Sequence, residues 1–188
     1  VLHLGAARDH GQERGGLAGA RVYYQQALAA SPSLPGALWN LAIAAEREGD
    51  ATEAEALLEK LVAAQPDWED AAFRLGYLQL QRGEYAQSIP HFDNCLRKRK
   101  DWIEALLNRG LASWKAGDLT AAADHLHRVL GLQPGNTDAM RYLSAVLIDQ
   151  NEPGQALDWR RKLAAAGDPA PELSYNLGLL LQTAGDYT

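Results

Sequence analysis

Cysteine is nearly missing from this chain: Cys95 stands alone among 188 residues. A single thiol forms no internal disulfide, so covalent cross-links cannot staple the fold, and nothing marks an oxidising compartment. Long hydrophobic runs are also missing, none approaching the roughly 18–20 residues that span a bilayer. The opening Val1-Leu2-His3-Leu4 lacks the charged-then-apolar layout of a secretory signal. Membrane insertion is not expected, and the compartment stays open between cytoplasm and periplasm. A basic surplus is missing as well, since 18 Lys and Arg face 24 Asp and Glu for a net charge of −6. Binding to a phosphate backbone needs a basic face, so nucleic acid is not an expected partner.

Catalytic signatures are absent too. There is no Gly-x-Ser-x-Gly elbow, Gly-rich phosphate loop, His-Glu-x-x-His or paired Cys-x-x-Cys. His125 and His127 are two apart on a predicted helix, hence about 200° apart around its axis, and cannot share a metal. His91 and His125 read as partly solvated packing residues. Cys95 falls in an apolar row with Ala27, Leu61, Val129 and Leu163 and reads as a buried filler rather than a nucleophile. No enzymatic activity, cofactor or metal is expected.

What the chain does have is enough apolar material, 47% hydrophobic against 22% charged, to bury a core unaided. Arginine supplies most of the cations, and alanine and leucine are abundant, a composition that points to a GC-rich bacterial source. That material is arranged in a period of 34. Gly15, Gly49, Gly83, Gly117, Asn151 and Gly185 succeed one another at that step, and glycine and asparagine tolerate a left-handed helix terminus. Small residues recur with the same step at Ala42, Gly76, Gly110, Ser144 and Gly178, and again at Ala20, Ala54, Ser88, Ala122 and Ala156. These rows predict close crossings between two helices. Tyr24, Leu58, Phe92 and Leu126 on one helix, with Leu41, Leu75, Leu143 and Leu177 on the one before it, complete an apolar face at helical spacing. Pro32, Pro66 and Pro134 stop the second helix of three units.

A helix-turn-helix of this period resembles the tetratricopeptide repeat family, and Trp39-Asn40-Leu41-Ala42, Leu75-Gly76-Tyr77 and Tyr175-Asn176-Leu177-Gly178 carry the resemblance. It implies an all-α fold, a right-handed superhelical solenoid of about five and a half repeats. The units are 1–34, which is degenerate, 35–68, 69–102, 103–136 and 137–170, followed by a half repeat at 171–188. Several residues depart from the pattern. Arg109 stands in the leucine row, Arg160 in the large apolar row, Lys100 and Asp168 in place of the closing proline, and Gly5, Gly11, Gly15 and Gly16 weaken the first helix. Each unit contacts mainly its neighbours, so such faults are expected to act locally.

The resemblance also implies that the first helix of each hairpin lines a concave groove. By family phase the inward positions are Trp39, Asn40 and Ile43; Phe73, Arg74, Tyr77 and Leu80; Leu107, Asn108, Leu111 and Trp114; Arg141, Tyr142 and Ile148; and Tyr175, Asn176 and Leu179. Exposed aromatic and aliphatic stripes interleaved with arginine and amides suit a peptide or helical segment of a partner. Asn40, Asn108 and Asn176 recur at two-unit spacing, as if to meet an extended main chain, while packing between hairpins is the competing reading of the aromatics. The Lys and Asn set with which one subclass clamps C-terminal carboxylates fits no window here. Asp70, Glu104, Asp138 and Glu172, each 34 apart, put a carboxylate in the first turn of four inner helices. This is either dipole stabilisation or an acidic rail for a partner with a basic edge. Arg97-Lys98-Arg99-Lys100 and Arg160-Arg161-Lys162 end second helices, where cations complement the dipole or form a docking patch.

The expected function is therefore a protein–protein interaction scaffold or adaptor. The alternatives are a regulatory or substrate-presenting arm of a larger enzyme or export assembly, such as a glycosyltransferase or exopolysaccharide exporter, and a self-assembling scaffold. The chain is expected to be a piece of a longer array that self-associates through its ends. The half unit from Pro171 offers Leu177, Leu179, Leu180 and Leu181 and stops where a second helix would begin.

Overall fold

The computed structural model describes residues 19–168 and Gln182. Every regular element among the described residues is an α-helix. Helix α1 occupies residues 19–30. It is followed by α2 (Pro35–Glu48), α3 (Ala51–Ala64), α4 (Glu69–Gln81), α5 (Tyr85–Lys98), α6 (Ile103–Lys115), α7 (Leu119–Leu132), α8 (Thr137–Asp149) and α9 (Pro153–Ala165). The starts of α2, α4, α6 and α8 keep the step of 34, as do those of α3, α5, α7 and α9.

Local chemistry sets these bounds. Gly49, Gly83 and Gly117 adopt φ of 81°, 81° and 90°, and among the described residues Asn151 is the positive-φ residue other than glycine, at 62°. Each ends the first helix of a hairpin, where a side chain with a β-carbon is disfavoured unless, like asparagine, it is short and polar. The equivalent Gly15 and Gly185 lie outside the described residues. The next helix starts on a cap in two of the hairpins: Asp50 accepts from the Glu53 N–H at 2.9 Å and Asp118 from the Ala121 N–H at 3.0 Å, each such cap stabilising a helix by about 1 kcal/mol. Asn136 caps α8 in the same way, through the Ala139 N–H. Pro35 and Pro153 open α2 and α9, where the missing N–H costs nothing. Pro90 is less conventional, lying exposed within α5. It removes one intrahelical bond, yet the helix continues to Lys98.

The described residues fall into two compact units divided between Leu78 and Gln79, within α4. In the first unit, Leu38, Leu41 and Ala42 of α2 pack with Leu57, Leu58 and Leu61 of α3 and with Ala71 and Leu75 of α4. In the second, Leu106 of α6, Leu126 and Val129 of α7, Leu143 and Val146 of α8, and Ala156 and Leu163 of α9 form one cluster. Complete burial of a leucine contributes about 1.5–3 kcal/mol, so these rows dominate the stability of each unit. The small-residue rows behave as crossings. Ala42, Ala54, Ala122 and Ala156 are fully buried, and a β-carbon added to Gly110 would lie 3.0 Å from Leu126 Cγ. Ala20, at the head of the second row, is only half-buried. Cys95 is buried and donates to the His91 carbonyl at 3.2 Å.

Candidate functional site

The first helices of the hairpins turn one side to the core and leave the other partly open. In the first unit, α2 sends Ala37, Leu38, Leu41 and Ala45 inward and leaves Trp39 and Ile43 half-buried and Asn40 exposed. Trp39 is tied down on two sides. Its ring stacks on Trp68 with centroids 5.2 Å apart, and the Arg74 guanidinium lies 5.3 Å from its centre. Arg74 also forms an ion pair with Glu46, joining α4 back to α2. Asn40 spends one amide donor on the Gly36 carbonyl at 2.7 Å. Further along, Phe73 and Tyr77, one helical turn apart on α4, hold near-parallel rings 6.5 Å apart, with Tyr77 43% exposed. Leu80, expected in the same inward row, is buried instead.

The second unit repeats the theme with different chemistry. Leu107, Asn108, Leu111 and Trp114 of α6 and Tyr142 of α8 are half-buried, and Leu107, Trp114 and Tyr142 pack against the core cluster. The Trp114 indole N–H donates to Asp149 at 2.6 Å, and its ring lies 6.3 Å from Tyr142. Lys115 Nζ lies 4.1 Å from the centre of the Trp114 ring. Arg141 bridges Asp138 at 2.6 Å and Asp168 at 2.7 Å. The bond to Asp168, above all, raises the Arg141 pKa. Ile148 is 39% exposed. Tyr175, Asn176 and Glu172 lie outside the described residues.

Asp70, Glu104 and Asp138 are all exposed in first turns, and Asp138 pairs with Arg141. The departures from the repeat pattern carry their own partners or costs. Arg109, in the leucine row, is half-buried, with its Nε 2.6 Å from Asp93 and a second bond to the Ser113 hydroxyl. Arg160, in the large apolar row, is half-buried with no partner for its buried Nε. Burial, and then the charge of Arg141, push its pKa below the usual arginine value. A free dipole-complementing role for Arg160 is therefore too simple. Arg97 and Lys98 do fill the last turn of α5, and Arg99 stacks on Trp102 at 3.8 Å. Among the described residues no group of three or more His, Cys, Asp or Glu side chains is placed to hold a metal, and no helix is long and apolar enough to cross a membrane.

Periodicity signals the positions of these side chains but not their partners. The ties from Arg74 to Glu46, Trp114 to Asp149 and Arg109 to Asp93 join positions 28, 35 and 16 apart, outside any single-helix spacing rule.

Two tetratricopeptide-repeat sequence profiles match the chain, one over residues 13–75 and 113–177, the other over 54–102 and 73–137. No curated protein matches it in sequence. Among solved structures it is similar to YrrB, a TPR protein with an unusual peptide-binding site, at a TM-score of 0.79 and 20% identity over 87% of this chain and 84% of that one. It is also similar to MamA, with a TM-score of 0.76 and 20% identity over 80% of this chain and 82% of that one. MamA from Desulfovibrio magneticus RS-1 gives 0.74 and 18% over 87% and 92%. Helices repeating with a period of 34, left-handed turns at the same step and profile matches along most of the length have one common account: the fold is an all-α tetratricopeptide solenoid, and the chain belongs to the tetratricopeptide repeat family.

Proposed function

We propose that this chain is a non-enzymatic scaffold that captures a segment of another polypeptide on the open side of its first helices. In the first unit the capturing residues are Trp39, Asn40, Ile43, Phe73, Arg74 and Tyr77; in the second they are Leu107, Asn108, Leu111, Trp114, Arg141 and Tyr142. The observation that carries the reading is the Phe73–Tyr77 pair, two near-parallel rings on one helix with the outer one 43% exposed. An aromatic held in one orientation and left in water is the kind of group that anchors interfaces, because its ordering cost is met before the partner arrives. Similarity to YrrB, whose structure is described by its peptide-binding site, supports the same reading. The partner is an amphipathic helix or an extended apolar segment with a basic edge.

Peptides selected against the purified chain from a random library provide the test. Binding to Tyr77→Ala, measured by calorimetry beside thermal unfolding, should weaken at least about fivefold with little change in the unfolding midpoint. Unchanged affinity with a large loss of stability would sink the reading, because Tyr77 would then be a packing residue.

A further inference from the structure

Between α1 and α2 the first unit contains a cleft of about 240 Å3, lined by Ala20, Arg21, Tyr24, Asn40, Ile43, Ala44 and Arg47. Its floor is apolar, formed by half-buried Ala20, Tyr24 and Ile43 and buried Ala44. The volume falls below the roughly 300–1,000 Å3 of a small-molecule site, but it accommodates one aliphatic side chain.

The rim has a definite sign. Two guanidiniums line the cleft and no carboxylate does. Arg21 is satisfied by Glu48 and Glu53. The nearby acids along the chain are also committed: Glu46 to Arg74, Glu48 to Arg21, and Asp50 to the Glu53 N–H. Arg47, exposed in the last turn of α2, is the cation of this set left without an acceptor among the described residues. Asn40 adds an acceptor, since its amide nitrogen already serves Gly36.

We propose that this cleft binds an extended partner segment in which an aliphatic residue is followed by an acidic one. The aliphatic side chain packs over Ala20, Ile43 and Ala44, the carboxylate pairs with Arg47, and a main-chain N–H of the segment donates to the Asn40 carbonyl oxygen. The inference rests on the capture reading above and adds the chemistry that one end of the captured segment carries.

The test uses three synthetic peptides, identical except for a central Leu-Glu, Leu-Gln or Leu-Lys, titrated into the full chain. The Leu-Glu peptide should bind about three- to fivefold tighter than Leu-Gln, the scale of one exposed charge-assisted contact. Arg47→Gln should erase that gap and Arg47→Glu should turn it in favour of Leu-Lys. Ala20→Leu, which fills the cleft, should weaken all three. Equal binding of the three peptides overturns the inference while leaving the capture reading intact, provided that Tyr77→Ala still weakens the peptides selected from the library. A preference for Leu-Glu that survives Arg47→Glu overturns it too, because the carboxylate is then read elsewhere. Unchanged binding of all three peptides to Ala20→Leu overturns the inference equally. Failure of these peptides and of the library-selected ones removes both readings together.

Discussion

Trp114 donates its indole N–H to Asp149 across 2.6 Å, a bond that runs from the end of α6 to the end of α8 and links the first helices of consecutive hairpins. Both ends are at least partly wet, which limits what it is worth. Trp114→Phe removes the donor together with part of a ring that packs against the core cluster, and should cost at least about 0.5–1.5 kcal/mol in urea unfolding. A double-mutant cycle with Asp149→Ala isolates the pair. A coupling energy of zero would mean that the bond is merely compatible with the fold rather than a contributor to it.

The crossing at Gly110 is tight, since an added β-carbon meets Leu126 at 3.0 and 3.2 Å, while the same addition at Gly131 meets nothing within 4 Å. The two glycines should therefore respond in opposite directions. Gly110→Leu is expected to cost about 1–3 kcal/mol or more through overpacking. Gly131→Ala is expected to stabilise by roughly 0.5–1 kcal/mol, by removing glycine's backbone entropy from a helix. Denaturation midpoints of the two variants decide the matter, and an unchanged midpoint for Gly110→Leu would mean that the helix pair can part at no cost.

Asn151 occupies φ 62° where the equivalent positions carry glycine. Asn151→Gly should leave stability close to the parent, and Asn151→Val should lose roughly 1–2 kcal/mol because a branched side chain is strained in that conformation. Equal midpoints for the two variants would show that the turn relaxes to another shape.

Burial lowers the pKa of His91 below 6.5. The unfolded chain then takes up its proton at a higher pH than the folded one, so stability is full above about pH 6.5 and falls as pH drops through that value toward the folded pKa. His91→Gln should reduce the loss of stability between about pH 7.5 and pH 5.5, as read from urea midpoints. A slope identical to the parent's would assign the acid sensitivity to other groups.

The hairpin pattern was legible in the amino-acid order because it depends on residues with few conformational choices. Gly49, Gly83, Gly117 and Asn151 fall where left-handed backbone is required, and the alanines of the small rows fall where helices cross. The open side of the first helices was legible only as a set of positions. Whether Trp39 lies free or stacked on Trp68, and whether Asp138 faces solvent or Arg141, depends on long side chains reaching between or along helices. Such reach is decided by packing geometry that no row of 34 expresses. Leu80 and Ile148 show the limit in one row, the first buried and the second exposed.

The pairing of Arg109 with Asp93 makes the hairpins of the second unit non-interchangeable parts. One period after Asp93 the chain carries His127, so a second copy of residues 103–136 spliced directly behind the first would bring its Arg109 against an imidazole. A half-buried guanidinium would then lose its carboxylate partner, and the inserted hairpin would seat poorly. The charge pair works as an address: it tells this hairpin which one must precede it, and an engineer wishing to lengthen the array by duplication would first have to erase the address with Arg109→Leu.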